Sequence, residues 1–213
     1  MSDLATLDKT ASWAPRSAWA GIAEPGHVGA EGKGVTIALR DGLGIASLIG
    51  REDGNDALAQ ALKDRFGLDL PRQPGAVQAN ARTLVWSGPG QWLLVAGGSE
   101  GFADDLAALS QHAAVADQSQ SRAALRIGGP QARRALAKGC MLDLHDSAFP
   151  QGFAALTTIS YIGVQLWRVA DAAGPEGAQF EMTVPRSMAG SFWSWLSASV
   201  AEFGCEVTAR GRG

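Results

Sequence analysis

A chain of 213 residues in which 46% of side chains are apolar can bury a real core, as one domain or as two small packed halves. Its 18 basic and 21 acidic residues sum to a net charge of −3, which offers no field for nucleic acid. No apolar run approaches the roughly 20 residues of a membrane helix, and the polar N-terminus lacks a signal-peptide core, so a cytoplasmic protein is expected.

Residues 1–32 hold Trp13, Trp19, Pro15 and Pro25 among several glycines and show neither helical nor strand periodicity. They read as an extended arm with aromatic anchors, laid on its own core or on a partner. Next, V-T-I-A-L-R (35–40) and G-I-A-S-L-I (44–49) flank Asp41-Gly42, a hairpin pattern. These glycines make no nucleotide loop. Ser47 stands where a dinucleotide fingerprint needs its third glycine, and 26–34 lacks the Gly-Lys-Ser/Thr ending. A helix is expected from Asn55 or Asp56 to a stop at Gly67, burying Leu58, Leu62 and Phe66. Leu68-Asp69-Leu70 follows, then a proline-broken loop. The strands R-T-L-V-W and Q-W-L-L-V-A come next, joined by the turn Ser87-Gly88-Pro89-Gly90. A helix over about 101–112 buries Phe102, Leu106 and Leu109.

The second half repeats this order. Strands A-V-A-D-Q-S and A-A-L-R-I lead into a helix with Pro130 at its start and Gly139 past its end. Leu142-Asp143-Leu144 matches Leu68-Asp69-Leu70, strands follow near 153–160, 163–170 and 178–184, and a last helix opens at Ser187. The expected fold class is α+β, with two pseudo-repeated halves of antiparallel sheet and helices packed on them. The organisation is an arm over 1–32, a first half over 33–113, a second over 114–207, and a flexible glycine-rich tail over 208–213.

The stretch K-G-C-M-L-D-L-H (138–145) gathers the chain's most chemical residue types. Cys140 falls where the first half has Leu68, which favours a small buried hydrophobe over a transfer or redox thiol. Lys138 is expected to meet the last carbonyls of the helix that Gly139 stops. The C-x-x-D-x-H spacing matches no common metal pattern, and no serine elbow or acid–base pair stands out. No catalytic residue and no metal ligand is therefore assigned.

Four runs carry a resemblance: W-S-G-P-G-Q-W-L-L (86–94), D-Q-S-Q-S-R-A-A-L-R-I-G-G (117–129), L-A-K-G-C-M-L-D-L-H with F-P-Q-G (149–152), and R-S-M-A-G-S-F-W-S-W-L (186–196). In this order and spacing they resemble the gamma subunit of heterotetrameric sarcosine oxidase over about residues 33–207. More distantly they resemble the folate-binding fold of the glycine-cleavage aminomethyltransferase. The resemblance implies a catalytically silent subunit that supports a flavin-bearing one, with alpha, beta and delta subunits as partners. The complex would demethylate sarcosine oxidatively to glycine, forming hydrogen peroxide and methylene-tetrahydrofolate. It also implies that FAD, FMN, NAD, zinc and tetrahydrofolate belong to the other subunits, and that this chain holds no cofactor.

Seven tryptophans against one tyrosine suit a contact surface. The candidates are Trp13 and Trp19 in the arm, and Trp193. At about 100° per residue, Trp193 falls a quarter-turn or more from the stripe of Met188, Phe192, Trp195 and Leu196. The alternative is a stand-alone folate-binding or aminomethyltransferase-like one-carbon protein. For that reading Arg122 and Arg126 are the candidate carboxylate-recognising residues.

Overall fold

Strands that bury residues on both faces, such as Gln91–Ala96 and Gln179–Pro185, build three hydrophobic clusters in this chain. The computed structural model describes residues 16–51, 55–171 and 177–210. The first half contributes β2 (Val35–Arg40), β3 (Gly44–Ile49), α1 (Asp56–Phe66), β4 (Ala76–Ala79), β5 (Arg82–Gly88), β6 (Gln91–Ala96) and α2 (Phe102–Leu109), after a short edge strand, β1 (Gly26–Val28). The second contributes β7 (Ala114–Asp117), β8 (Arg122–Gly128), α3 (Ala132–Ala137), β9 (Ala154–Ile159), β10 (Ile162–Val169), β11 (Gln179–Pro185), α4 (Ala189–Val200) and β12 (Cys205–Arg210).

A five-stranded sheet runs β4-β5-β6-β3-β7, and a seven-stranded sheet runs β1-β12-β2-β8-β11-β10-β9. All pairings are antiparallel except the one between β12 and β2. The duplication is written into these orders. β4-β5-β6-β3-β7 corresponds strand for strand to β9-β10-β11-β8-β2, so each half lends its first strand to the sheet of the other. The two-residue turns match as well. Asn80-Ala81 and Ser160-Tyr161 both hold positive φ, at 48° and 59° and at 49° and 64°, the backbone a tight twisted hairpin requires.

The helices cover the outer sheet faces and the sheets face each other. Leu58, Leu62 and Phe66 of α1, one turn apart, pack on Leu48, Leu84 and Leu94. Each such burial stabilises by about 2 kcal/mol. Gly67 ends α1 at φ 71°, its N–H closing on the carbonyls of Leu62 and Lys63. Phe192, Leu196 and Val200 of α4 cover Ile37, Leu125 and Met182 on the larger sheet. Between the sheets lies a smaller apolar layer, centred on Ile45, Val85, Leu93, Ala124 and Trp167. Among the described residues no helix is long and apolar enough to cross a membrane.

Several expectations need correction. Asp41-Gly42 does not close a hairpin: β2 is flanked by β8 and β12, β3 by β6 and β7, and the turn carries the chain from one sheet to the other. The strand edges a hairpin would use are taken by partners distant in sequence. The arm is not wholly irregular, since Gly26–Val28 pairs with β12 as a sheet edge. The proline-broken loop contains β4, and residues 208–210 of the expected tail belong to β12, which is buried beside β2 over its first part. The last helix begins at Ala189, after a tight turn over Arg186–Met188 that leaves Met188 38% exposed.

Candidate functional site

The residues of K-G-C-M-L-D-L-H have structural work to do. Lys138 reaches away from its own helix, donating from Nζ to the carbonyl oxygen of Ser199 and pairing with Glu202 near the end of α4. Those carbonyls are the negative end of the neighbouring helix, so a cation is favoured there. Gly139 is required by close packing. A β-carbon at that position would lie 2.6 Å from the Trp195 ring, where α3 meets α4. Cys140 is buried, and burial pushes its thiol up, a shift partly offset by a backbone hydrogen bond at Leu142. Cys205, fully buried, is pushed up to about 12 by burial and by the charge of Glu206. Neither sulfur is an available thiolate at neutral pH.

Asp143 accepts from the backbone N–H of His145 at 2.9 Å, and His145 Nδ1 meets Ser147 Oγ at 2.8 Å, so both are local turn contacts. Among the described residues no group of three or more His, Cys, Asp or Glu is placed to hold a metal ion.

Charged chemistry gathers instead between the sheets. Arg126 on β8 and Glu181 on β11 are direct cross-strand partners. Glu181 Oε1 accepts from Arg126 Nη2 at 2.6 Å and from Arg40 Nη1 at 2.6 Å, so one carboxylate serves two guanidinium groups. Arg122 lies on the same face of β8, four residues before Arg126. Among the described residues its one hydrogen bond runs from Nε to Gln118 Oε1 at 2.8 Å, and burial lowers its pKa.

Beside this layer opens a cleft of about 350 Å³, where the two sheet-to-sheet crossings, 41–43 and 118–121, come together. Arg16, Arg40, Arg122 and Arg186 reach it, with Asp41 as its carboxylate. Arg186 Nη2 donates to the carbonyls of Arg16 at 2.9 Å and Ser17 at 3.1 Å, holding segment 16–18 as one wall. The structure thus separates the two arginines singled out in the sequence. Arg122 faces the cleft; Arg126 is consumed by Glu181. Arg16, Arg40 and Arg186 come from three separate segments and carry no local pattern that would have grouped them.

Of the tryptophans, Trp13 lies outside the described residues. Trp19 is 1% exposed, its Nε1 donating to the Ala124 carbonyl at 2.9 Å. Its indole therefore anchors the arm on the chain's own core, a correction to its candidacy as a contact surface. Trp193 packs edge-on against it at 6.2 Å between ring centroids and stays half-buried. Two side chains not singled out are the most exposed large ones: Tyr161 is 101% and Met141 90% exposed, on either side of the Cys140–Ile159 bridge.

The layer order and the exchanged strands define the class: an α+β protein with the fold of the glycine cleavage system aminomethyltransferase T. The Bartonella henselae enzyme superposes with a TM-score of 0.59 at 15% identity, over 83% of this chain and 48% of that one. Within that class, the chain belongs to the sarcosine oxidase, gamma subunit family, whose family model matches residues 51–202. Sarcosine oxidase subunit gamma of Corynebacterium sp. strain P-1 is 34% identical over 180 residues, covering 81% of this chain and 82% of that protein. In structure, the chain matches a component of heterotetrameric sarcosine oxidase from Corynebacterium sp. U-96, solved in complex with pyrrole 2-carboxylate. The TM-score is 0.74 at 26% identity, over 88% of this chain and 95% of that one.

Proposed function

We propose that this chain is the non-catalytic gamma subunit of a cytoplasmic heterotetrameric sarcosine oxidase, packed against the flavin-bearing subunit and supporting its assembly. The observation that carries the reading is the match to a component of such a heterotetramer over 95% of that component's length. In the complex, sarcosine is oxidised to glycine, oxygen is reduced to hydrogen peroxide, and tetrahydrofolate takes up the one-carbon unit as methylene-tetrahydrofolate. FAD, FMN, NAD, zinc and the folate are held by the alpha, beta and delta subunits. The buried, protonated thiols and the structural roles of Lys138 and His145 fit a chain that breaks no bonds itself. Tyr161 and Met141, extended into solvent, are the contact residues favoured by exposure, and Trp193 is a further candidate.

The test is co-expression with the other three subunits and affinity capture on this chain. A yellow, sarcosine-oxidising complex is expected in the eluate. The paired substitution Tyr161→Asp and Met141→Glu should release the flavin-bearing subunit while leaving this chain folded, because both side chains are solvated. A wild-type chain that elutes alone from cells producing all four subunits would overturn the reading.

A further inference from the structure

The arginine cleft is not accounted for by assembly. Four arginines line about 350 Å³ of space, Arg40 with a bond to Glu181 and Arg186 with bonds to the carbonyls of segment 16–17. Among the described residues none of Arg16, Arg122 and Arg186 makes an ion pair, although the chain pairs Arg40, Arg65, Arg82, Arg126, Arg133 and Arg168. The cleft's carboxylate, Asp41, already accepts from Ser17 Oγ at 2.8 Å. Arg122 is the informative residue. It sits in an environment that disfavours its charge and gives one N–H to a neutral amide, leaving the rest of its fork without a protein acceptor among the described residues. Taking a guanidinium partly out of water costs free energy that an opposite charge returns. The fork geometry matches a carboxylate or a phosphate. The remaining lining is mixed, Leu43, Ile45 and Ala124 with Ser17, Ser99, Ser119 and Gln120, and a volume of this size suits a small molecule.

We propose that this cleft binds a small organic anion, a carboxylate or phosphate monoester with a short apolar body, its anionic head on Arg122 and its body against Leu43 and Ile45. Arg186 acts on the ligand through segment 16–18, as a positioning residue. The proposal stands apart from the subunit reading, because every lining residue belongs to this one chain and the isolated full chain can be tested.

Isothermal titration calorimetry of the full chain at low salt, with benzoate, phenyl phosphate and neutral benzamide as probes, decides it. At least one anion should bind and benzamide should not, and added sodium chloride should weaken the binding. Binding by one anion alone supports the site and identifies its head group. Arg122→Gln should lower affinity about tenfold or more, as expected for losing a charge-assisted bidentate contact. Arg122→Lys, which keeps the charge but not the fork, should fall between. Were Arg122→Gln to fail to fold, the lysine variant and the anion-to-amide comparison still carry the test. Absence of heat from both anions at millimolar concentration, equal binding of benzamide, or affinity unchanged in both Arg122 variants would each overturn the proposal.

Discussion

Asp105 and Glu181 are each a buried carboxylate flanked by two arginines, and they are built differently. Asp105 on α2 divides its oxygens. Oδ1 accepts from Arg65 Nε at 2.9 Å, and Oδ2 accepts from Arg82 Nε at 3.1 Å and Nη2 at 2.5 Å. The cluster ties α1 and α2 to β5 and is closed. At Glu181 the bonds from Arg40 and Arg126 converge on Oε1, and a third arginine, Arg122, lies further along the same strand face beside the cleft. Equal charge counts thus give a fastener in one place and a reservoir of positive charge in the other. The number of arginines around an acid says less than how its oxygens are shared out.

The sharpest break in this comparison is Asp105→Asn. The amide, itself buried, turns an N–H toward one guanidinium and leaves that group opposed. A loss of about 3 kcal/mol is expected, read as a lower urea midpoint at unchanged slope. Glu181→Gln should cost less, roughly 1–2 kcal/mol, because the retained amide oxygen can still accept at the shared position. Equal losses in the two variants would erase the distinction.

A third arginine, the buried Arg168, offers the smallest and most conditional effect. It donates to Asp146 at 2.6 Å and to Asp171 at 2.7 Å. The Arg168 hydrogen bond holds the Asp146 carboxyl below its ordinary value of 3.8. Burial raises Asp171, but the bonds from Arg168 outweigh it and that carboxyl is lowered too. A carboxyl depressed in the folded state contributes stability above the unfolded value, and the contribution is lost as pH falls through the folded one. Asp146→Asn should therefore flatten the decline in melting temperature below about pH 4, with little change in its shape near neutrality. An unaltered acid limb would show that this pair carries no linkage.

What the sequence made legible was local. Helix α1, with Leu58, Leu62 and Phe66 in register and Gly67 as its stop, and the β5–β6 hairpin around Gly88-Pro89-Gly90 are specified within a dozen residues of chain. Asp41-Gly42 was ambiguous for the opposite reason. A tight turn looks the same whether it joins two paired strands or passes between sheets, and only β8, β12, β6 and β7 decide. Strand β12 ends in Ala-Arg, short of a Gly-Arg-Gly sequence that reads as loose chain, and its strand character comes from pairing with β2. The burial of Cys140 was readable from its repeat partner, whereas nothing local told Arg122 from its fellow candidate Arg126, which Glu181 takes up. The cleft was not readable, because its walls come from five separate segments whose side chains share no period. Asp105, an acid in a helix that looked solvated, gave no hint that Arg65 and Arg82 would enclose it.

The exchanged strands constrain how this polypeptide comes into being on the ribosome. β2 emerges early, yet it lies between β8 and β12, and its Val35 pairs with Cys205 near the far end of the chain. Until β12 has emerged, one edge of β2 in the larger sheet waits unpaired. The molecule must therefore close late and all together. Contacts of such long sequence separation fold slowly, and severing the two halves would leave each holding a strand that the other needs.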